Sequence, residues 1–348
     1  MRKFLTLSAM SFLLVIFTAC GSKEQTTEVT PMPDEPVEEI QETEDIEETP
    51  VFANKFPLTG IGTEEELNRR AVGVTINNDP AARPQTGLVN ADLVYEVLAE
   101  GDITRFIAFY HSDLPEKVGP VRSGRAYHID LINGYDALMV LHGWSPEAKR
   151  LLESGKADYL NGLYYDGTLF NRSNERKAPH NSYISFENII KGLGDERGYE
   201  LTGKVDPLTF FDSEDVSSGG VEAKDITITY YGYQVGYVYD EVSGMYNRFN
   251  GQTITADHET GEELTVSNIL VAEMDHRVLD DKGRRSINLT SGGNAILFQN
   301  GEALTVEWIN EDDRIIAVKD GEHLPLKPGK TWINIIPTSP GLGENVTY

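Results

Sequence analysis

Ala71-Val-Gly-Val-Thr-Ile-Asn77, Asp92-Leu-Val-Tyr-Glu-Val-Leu98 and Ile103-Thr-Arg-Phe-Ile-Ala-Phe-Tyr110 decide the fold class of this 348-residue chain. Each is a strand-length run rich in β-branched and aromatic side chains, as a buried strand requires. Glu100-Gly101-Asp102 supplies a turn between the last two, which predicts a hairpin. Downstream the period changes. A helix is expected after Gly119-Pro120, with Ala126, Ile129, Leu131 and Ile132 on its buried side. Asp136 to Leu141 forms a further strand. Ser145-Pro146-Glu147 then places an N-cap, a first-turn proline and an acid in the order that starts a helix, here through Leu152. Ser185 caps another helix, with Ile189, Ile190 and Leu193 inward.

The second half is β-rich. Asp225 to Tyr231 alternates, and Gly236 to Tyr239, Tyr246 to Phe249, Asn268 to Glu273, Asn294 to Phe298, Leu304 to Trp308 and Thr331 to Ile336 follow as short strands. Asn250-Gly251, Asn300-Gly301, Asp320-Gly321 and Pro328-Gly329 punctuate them. The expected fold is α+β. An N-terminal mixed α/β module of layered sheet and helices, residues 51–215, precedes a β-rich C-terminal module, residues 216–348, built as a sandwich or partly open barrel. Asp212 to Gly220 is the best linker, although the two sheets could be continuous.

Charge and cysteine usage narrow the function. The chain has 30 Lys and Arg against 56 Asp and Glu, a formal charge of −26. That balance argues against nucleic acid, because binding phosphates needs a basic face that releases counterions. Residues 51–200 carry 16 basic and 21 acidic side chains, whereas residues 201–348 carry 11 and 24. A single cysteine excludes an intramolecular disulfide, an iron–sulfur cluster and a multi-cysteine zinc site. It falls at position 20, after Arg2-Lys3, an uncharged stretch from Phe4 to Ala19, and before Gly21-Ser22. This is the pattern of a lipoprotein signal peptide over residues 1–19, with Cys20 as the acylated residue. Residues 20–50 make an acidic tether: Lys23 to Pro50 holds eleven acids, four prolines and no aromatic side chain. Such a segment cannot bury enough apolar surface to offset its ordering entropy. The expected place is therefore the outer face of the bacterial cytoplasmic membrane, held by the lipid on Cys20.

The polar chemistry concentrates between residues 77 and 183. Gly119-Pro-Val-Arg122-Ser-Gly-Arg125 sets two arginines at the expected helix start. Cations there oppose the helix dipole by roughly 0.3–1 kcal/mol each. Either an anion sits on both arginine forks and the helix N–H groups, or the pair is neutralised by acids such as Asp92, Glu96 or Asp130. His142 lies where a strand runs into a helix, a frequent ligand position. Ser145 superficially resembles a nucleophile-elbow serine. Pro146 removes an amide that an oxyanion hole would use, so Ser145 is the cap. Arg172, His180 and Asn181 complete a loop-borne set. His142 and His180 alone do not make a metal motif, so neither a metal nor a cofactor is expected. Asp257-His-Glu-Thr-Gly261-Glu is a hairpin turn, since its spacing fails a calcium loop.

At these residues the chain resembles the YerB-like bacterial lipoproteins. The similarity rests on Pro57-Leu-Thr-Gly60, Ile76-Asn-Asn-Asp-Pro80, Ala82-Arg-Pro-Gln85, Ala91 to Glu96, Gly101 to Phe106, Gly119 to Arg125 and Arg176-Lys-Ala-Pro-His-Asn181. Asp257 to Leu264 and Pro328 to Ile333 extend it into the second half. The resemblance implies a lipid-anchored protein with an α+β fold of its own type and no settled biochemical function. Three readings follow. The first is a binding or scaffold module that takes an anionic cell-wall component on Arg105, Arg122, Arg125, His142, Arg172, His180 and Asn181. The second is a wall-acting enzyme with His142 or His180 as general acid/base and Arg122 or Arg125 stabilising an oxyanion. In the third, the acidic β module docks a basic envelope protein, steered by its negative charge. No catalytic residue is assigned, and the binding reading stands first.

Overall fold

A computed structural model describes residues 52–212 and 219–348. The expected signal peptide, Cys20, the acidic tether and most of the linker lie outside them.

The three strands that opened the sequence analysis form the middle of one long sheet. Val72–Asn77 pairs antiparallel with Ile103–Tyr110, which pairs antiparallel with Leu93–Glu100. Leu138–Leu141 and Tyr159–Asn161 add in parallel beyond Val72–Asn77. On the opposite flank the sheet does not stop. Thr331–Pro337, the last long strand of the chain, lies parallel against Leu93–Glu100, and Asn268–Met274 lies parallel against Thr331–Pro337. Gly293–Gln299, Glu302–Glu311, Arg314–Lys319 and Glu322–His323 continue it antiparallel. With Val221–Glu222 pairing antiparallel on Glu302–Glu311, the principal sheet has 12 strands among the described residues, drawn from both halves of the chain. Strands that pair in parallel need long connections, so their adjacency depends on contacts far apart in sequence. No local signal reports that adjacency.

A second, six-stranded sheet is built on Asp225–Tyr230, Tyr233–Asp240 and Met245–Asn250. The turn after Asn250 reverses the chain as expected. This sheet covers one face of the long one: Ile226, Ile228, Val235, Tyr237 and Tyr246 pack with Val94, Leu98, Phe106, Phe298 and Trp332. The opposite face buries Tyr95, Val97, Ile107 and Ile333 with Ile129, Leu131 and Ile132 of helix Ala126–Asn133. The β-rich half is accordingly divided between two open sheets, and no closed barrel forms among the described residues.

Most local expectations match. Ser145 accepts from the Ala148 N–H at 3.2 Å to start helix Pro146–Glu153, and Ser185 accepts from the Asn188 N–H at 3.2 Å to start Phe186–Lys191. Asp257 closes its turn by accepting from the N–H groups of Glu259 and Thr260. Three details differ. Ile190 is exposed while Ile189 and Leu193 are buried, because residues four apart share one helix face and Ile190 is turned away from it. Arg314–Lys319 and the hairpin His276–Val278/Arg285–Ile287 were not anticipated. Ala126 is only half-buried.

Candidate anion site at the strand ends

Val72–Asn77, Leu138–Leu141 and Tyr159–Asn161 run parallel and side by side, so their carboxyl ends open on one edge. Ligands in sheets of this kind sit outside such ends. Here the three ends deliver Asn77, His142 and Asn161, with Gly119 to Arg125 threaded between them. Arg122 N–H donates to Thr75 O at 2.8 Å, Val121 N–H to Ser182 O at 2.7 Å, and His142 N–H to Arg122 O at 3.0 Å. The Thr75 hydroxyl also donates to Arg122 O. Asn161 ties the next two loops together, its Oδ1 accepting from Gly143 and Leu163 N–H at 3.0 Å each. Gly143 has φ 94°, a conformation L side chains rarely adopt. At Gly162 a Cβ would lie 2.4 Å from His142 Nδ1, so only glycine admits the ring there.

The predicted site residues divide into two neighbouring groups. Arg105 and Arg125 are buried and share Glu100. Arg105 also donates to Ser123 O at 2.7 Å, and Arg125 to Gly124 O at 2.8 Å. Arg125 is the N-cap residue of helix Ala126–Asn133, and its backbone N–H donates to His128 Nδ1 at 3.1 Å. Arg122, by contrast, stands four residues before the first residue of that helix. Asp92, Glu96 and Asp130 neutralise neither Arg122 nor Arg125. Asp92 accepts from the His111 and Ser112 N–H groups, Glu96 pairs with Arg248, and Glu100 is the acid the sequence did not single out.

The second group surrounds His142. Arg172 forms a bidentate pair with Asp166, at 3.0 and 2.9 Å, donates to Asn181 Oδ1 at 3.2 Å, and donates to His142 Nε2 at 3.0 Å. With Nε2 accepting, Nδ1 carries the proton and donates to Ser182 Oγ at 2.6 Å. Burial, then the Arg172 charge, pushes His142 down to about 4. His180 Nδ1 accepts from Asn77 Nδ2 at 2.9 Å and lies 3.9 Å from Asp79 Oδ1. Its Nε2 has no hydrogen-bond partner among the described residues. Asn77, Asp79, Ser182 and Asp166 escaped the sequence reading as site residues. The polar run Asn77-Asn78-Asp79 at a strand end was the available signal.

Arg122 is the odd member. Its guanidinium is half-buried and has neither an ion pair nor a hydrogen bond among the described residues. Burial holds its pKa below the ordinary arginine value, the charges of Arg105 and Arg172 push the same way, and Asp79 opposes them. With Glu100 taking two arginines and Asp166 a third, Arg122 is left without a direct ion pair among the described residues, and Asp79 acts on it only from a distance. Among the described residues no group of three or more His, Cys, Asp or Glu side chains is placed to hold a metal ion.

Fold and cluster together define an α+β protein with one continuous mixed sheet and a cationic cluster at the carboxyl ends of its parallel strands. A family model described as "Protein of unknown function (DUF3048) N-terminal domain" matches residues 58–200, and its "C-terminal domain" counterpart matches residues 226–333. The chain is 42% identical over 344 residues to a Bacillus subtilis (strain 168) protein named "Putative lipoprotein YerB", a match covering 97% of this chain and 96% of that relative. The crystal structure of the YerB protein from Bacillus subtilis aligns with a TM-score of 0.77 at 47% identity, over 82% of this chain and 97% of that one. The chain belongs to this YerB family, whose biochemical function is unknown.

The His142 geometry has a pH consequence. Its pKa falls from 6.5 in the unfolded chain to about 4 in the fold. Between those values the unfolded chain binds a proton that the fold refuses, so the His142 contribution to stability is lost as pH drops through that window. NMR of the imidazole, assigned against His142→Asn, should show one neutral Nδ1–H tautomer down to about pH 5. A titration midpoint near 6.5 would contradict the Arg172 contact.

Proposed function

We propose that this chain is a lipid-anchored binding module at the outer face of the bacterial cytoplasmic membrane. Its strand-end cluster holds an anionic group, a carboxylate or phosphate, of an envelope ligand. Arg122 receives the anion, and His180 Nε2–H, Arg172 and Asn181 complete the cradle. Arg105, Arg125 and His142 fix its walls, and residues 20–50 serve as the spacer from the membrane. The single observation supporting this reading is the unpaired guanidinium of Arg122. Half-buried beside two other arginines in a chain of net charge −26, it is an unfavourable arrangement for a fold and a favourable one for an anion site. The lipoprotein name of the Bacillus subtilis relative supports the anchor, and no helix among the described residues is long and apolar enough to cross a membrane.

The enzymatic alternative with His142 as general acid/base has less support. His142 Nε2 is occupied by a cation and its Nδ1–H points at Ser182, so the imidazole accepts no proton from that hydroxyl. A group titrating near 4 is also a poor general acid at neutral pH.

Inorganic phosphate titrated against the full-length chain in detergent should raise its melting temperature, less so at high salt. Arg122→Ala should weaken that binding about ten- to a hundredfold, the loss of a charge-assisted hydrogen bond worth roughly 1.5–3 kcal/mol. Arg122→Lys should rescue only partly, for want of the bidentate fork. If phosphate leaves the wild type unchanged while Arg122→Ala destabilises it, Arg122 is a structural residue. For the anchor, Cys20→Ser should abolish incorporation of labelled palmitate. Undiminished labelling would place the lipid elsewhere.

A further inference from the structure

The one-turn helix Gly162–Tyr165 is bracketed by the residues of the anion site. At its start the bare Gly162 Cα lets the His142 ring pack against it. At its end Asp166, the C-cap residue, holds the Arg172 guanidinium bidentately. Between these fixed points the helix turns Leu163 and Tyr164 to solvent, 55% and 57% exposed. Tyr164 does not stand alone. Its ring meets Trp144 edge-to-face, with centroids 5.9 Å apart at 72°, and Trp144 meets Tyr159 in the same way at 5.7 Å and 63°. Trp144 is itself only half-buried and follows His142 by two residues. The anion site therefore carries an aromatic rim, held in place by the same Asn161, Gly162 and Asp166 contacts that orient His142 and Arg172.

Resting on the anion reading above, we infer that this rim is a second subsite, which stacks a sugar ring. The ligand class is then an acidic glycan: a pyranose whose carboxylate or phosphate reaches Arg122 while its C–H face lies on the exposed Tyr164 ring, which Trp144 braces edge-to-face. An aromatic face is electron-rich and apolar, so it pairs with polarised C–H groups and not with a second anion. An acidic peptide or free phosphate would satisfy the cations and leave the rim uncovered. A sugar acid covers both, and the edge-to-face contact with Trp144 limits the freedom that Tyr164 loses on binding.

The test compares matched probes on the full-length chain in detergent, by NMR chemical-shift titration. N-acetylmuramic acid carries a lactyl carboxylate on a pyranose, D-lactate is that carboxylate alone, and N-acetylglucosamine is the ring without it. Glucose 6-phosphate against inorganic phosphate asks the same question of a phosphate. In at least one pair the ring-bearing acid should bind about three- to tenfold more tightly than its bare anion, and the pair that responds identifies the acid group. Tyr164→Ala should remove that advantage and leave the bare anion unaffected, whereas Tyr164→Phe should keep it. Tyr164 is more than half exposed, so neither variant threatens the fold. Equal binding of ring-bearing and bare anions, or an advantage that survives Tyr164→Ala, overturns the sugar subsite while Arg122-dependent anion binding stands. Sugar-acid binding that needs Tyr164 and ignores Arg122 keeps the rim and overturns the anion site. Binding of no probe at all overturns both.

Discussion

Glu96 and Arg248 form an ion pair at 2.8 Å with both side chains fully buried, and the two-sheet arrangement closes around it. Glu96 belongs to the central strand Leu93–Glu100 of the long sheet, and Arg248 to Met245–Asn250 of the covering sheet. Burying two charges costs several kcal/mol per ion unless their remaining hydrogen-bonding capacity is met. Here it is largely met. Glu96 accepts from Thr104 Oγ1 at 2.8 Å and from Trp332 Nε1 at 3.1 Å. Arg248 donates to Thr255 Oγ1 at 2.9 Å and to Asn250 Oδ1 at 3.1 Å. The guanidinium also lies 4.7 Å from the Trp332 ring centroid and 5.3 Å from that of Phe106. The carboxylate beside it holds Arg248 well above its ordinary pKa, so the cation stays charged in the core. A one-residue slip of either strand within its own sheet would turn its member of the pair to the opposite face and strand the other. The pair therefore fixes the register of both strands and ties the two layers together.

That constraint reaches the edge where the proposed anion site lies. Asn78 donates to Glu96 Oε1 and Thr104 Oγ1 inside the core, while Asn77, its neighbour in the chain, donates to His180. Arg83 donates back to Asn78 and stacks 4.5 Å from the Tyr233 ring centroid. One short turn, Asn77-Asn78-Asp79, thus connects the buried pair to the loop carrying His180 and Asn181. The cations around Arg122 repel one another, and a rigid base helps the fold to hold them together although Arg122 itself has no direct ion pair. The polar side chains at this edge are held in place because their supporting turn is pinned by the core.

Much of this was legible in sequence wherever the information is local. The Ser145-Pro146-Glu147 helix start, the Ser185 cap, the Asn250-Gly251 reversal and the Leu93–Tyr110 hairpin all follow from a few adjacent residues. What escaped depends on distant pairing. Thr331–Pro337 takes its place between Asn268–Met274 and Leu93–Glu100 through parallel contacts that no turn announces, so the question of one sheet or two stayed open. The partners of the arginines were hidden for the same reason. Glu100 and Asp166 are ordinary acids in the sequence, and only the crossing of the Gly119–Arg125 segment beneath the strand ends selects Glu100 for Arg125. Arg122 and Arg125 look equivalent along the chain. The fold gives one a carboxylate and leaves the other bare.

A double-mutant cycle on Glu96 and Arg248, followed by denaturant unfolding, tests the central claim most directly. Glu96→Gln and Arg248→Met should each cost about 3–5 kcal/mol, because each leaves the other group buried and unpaired. The double variant should recover a large part of that loss. Single losses below about 1 kcal/mol that simply add in the double variant would show that the pair does not hold the two sheets in register.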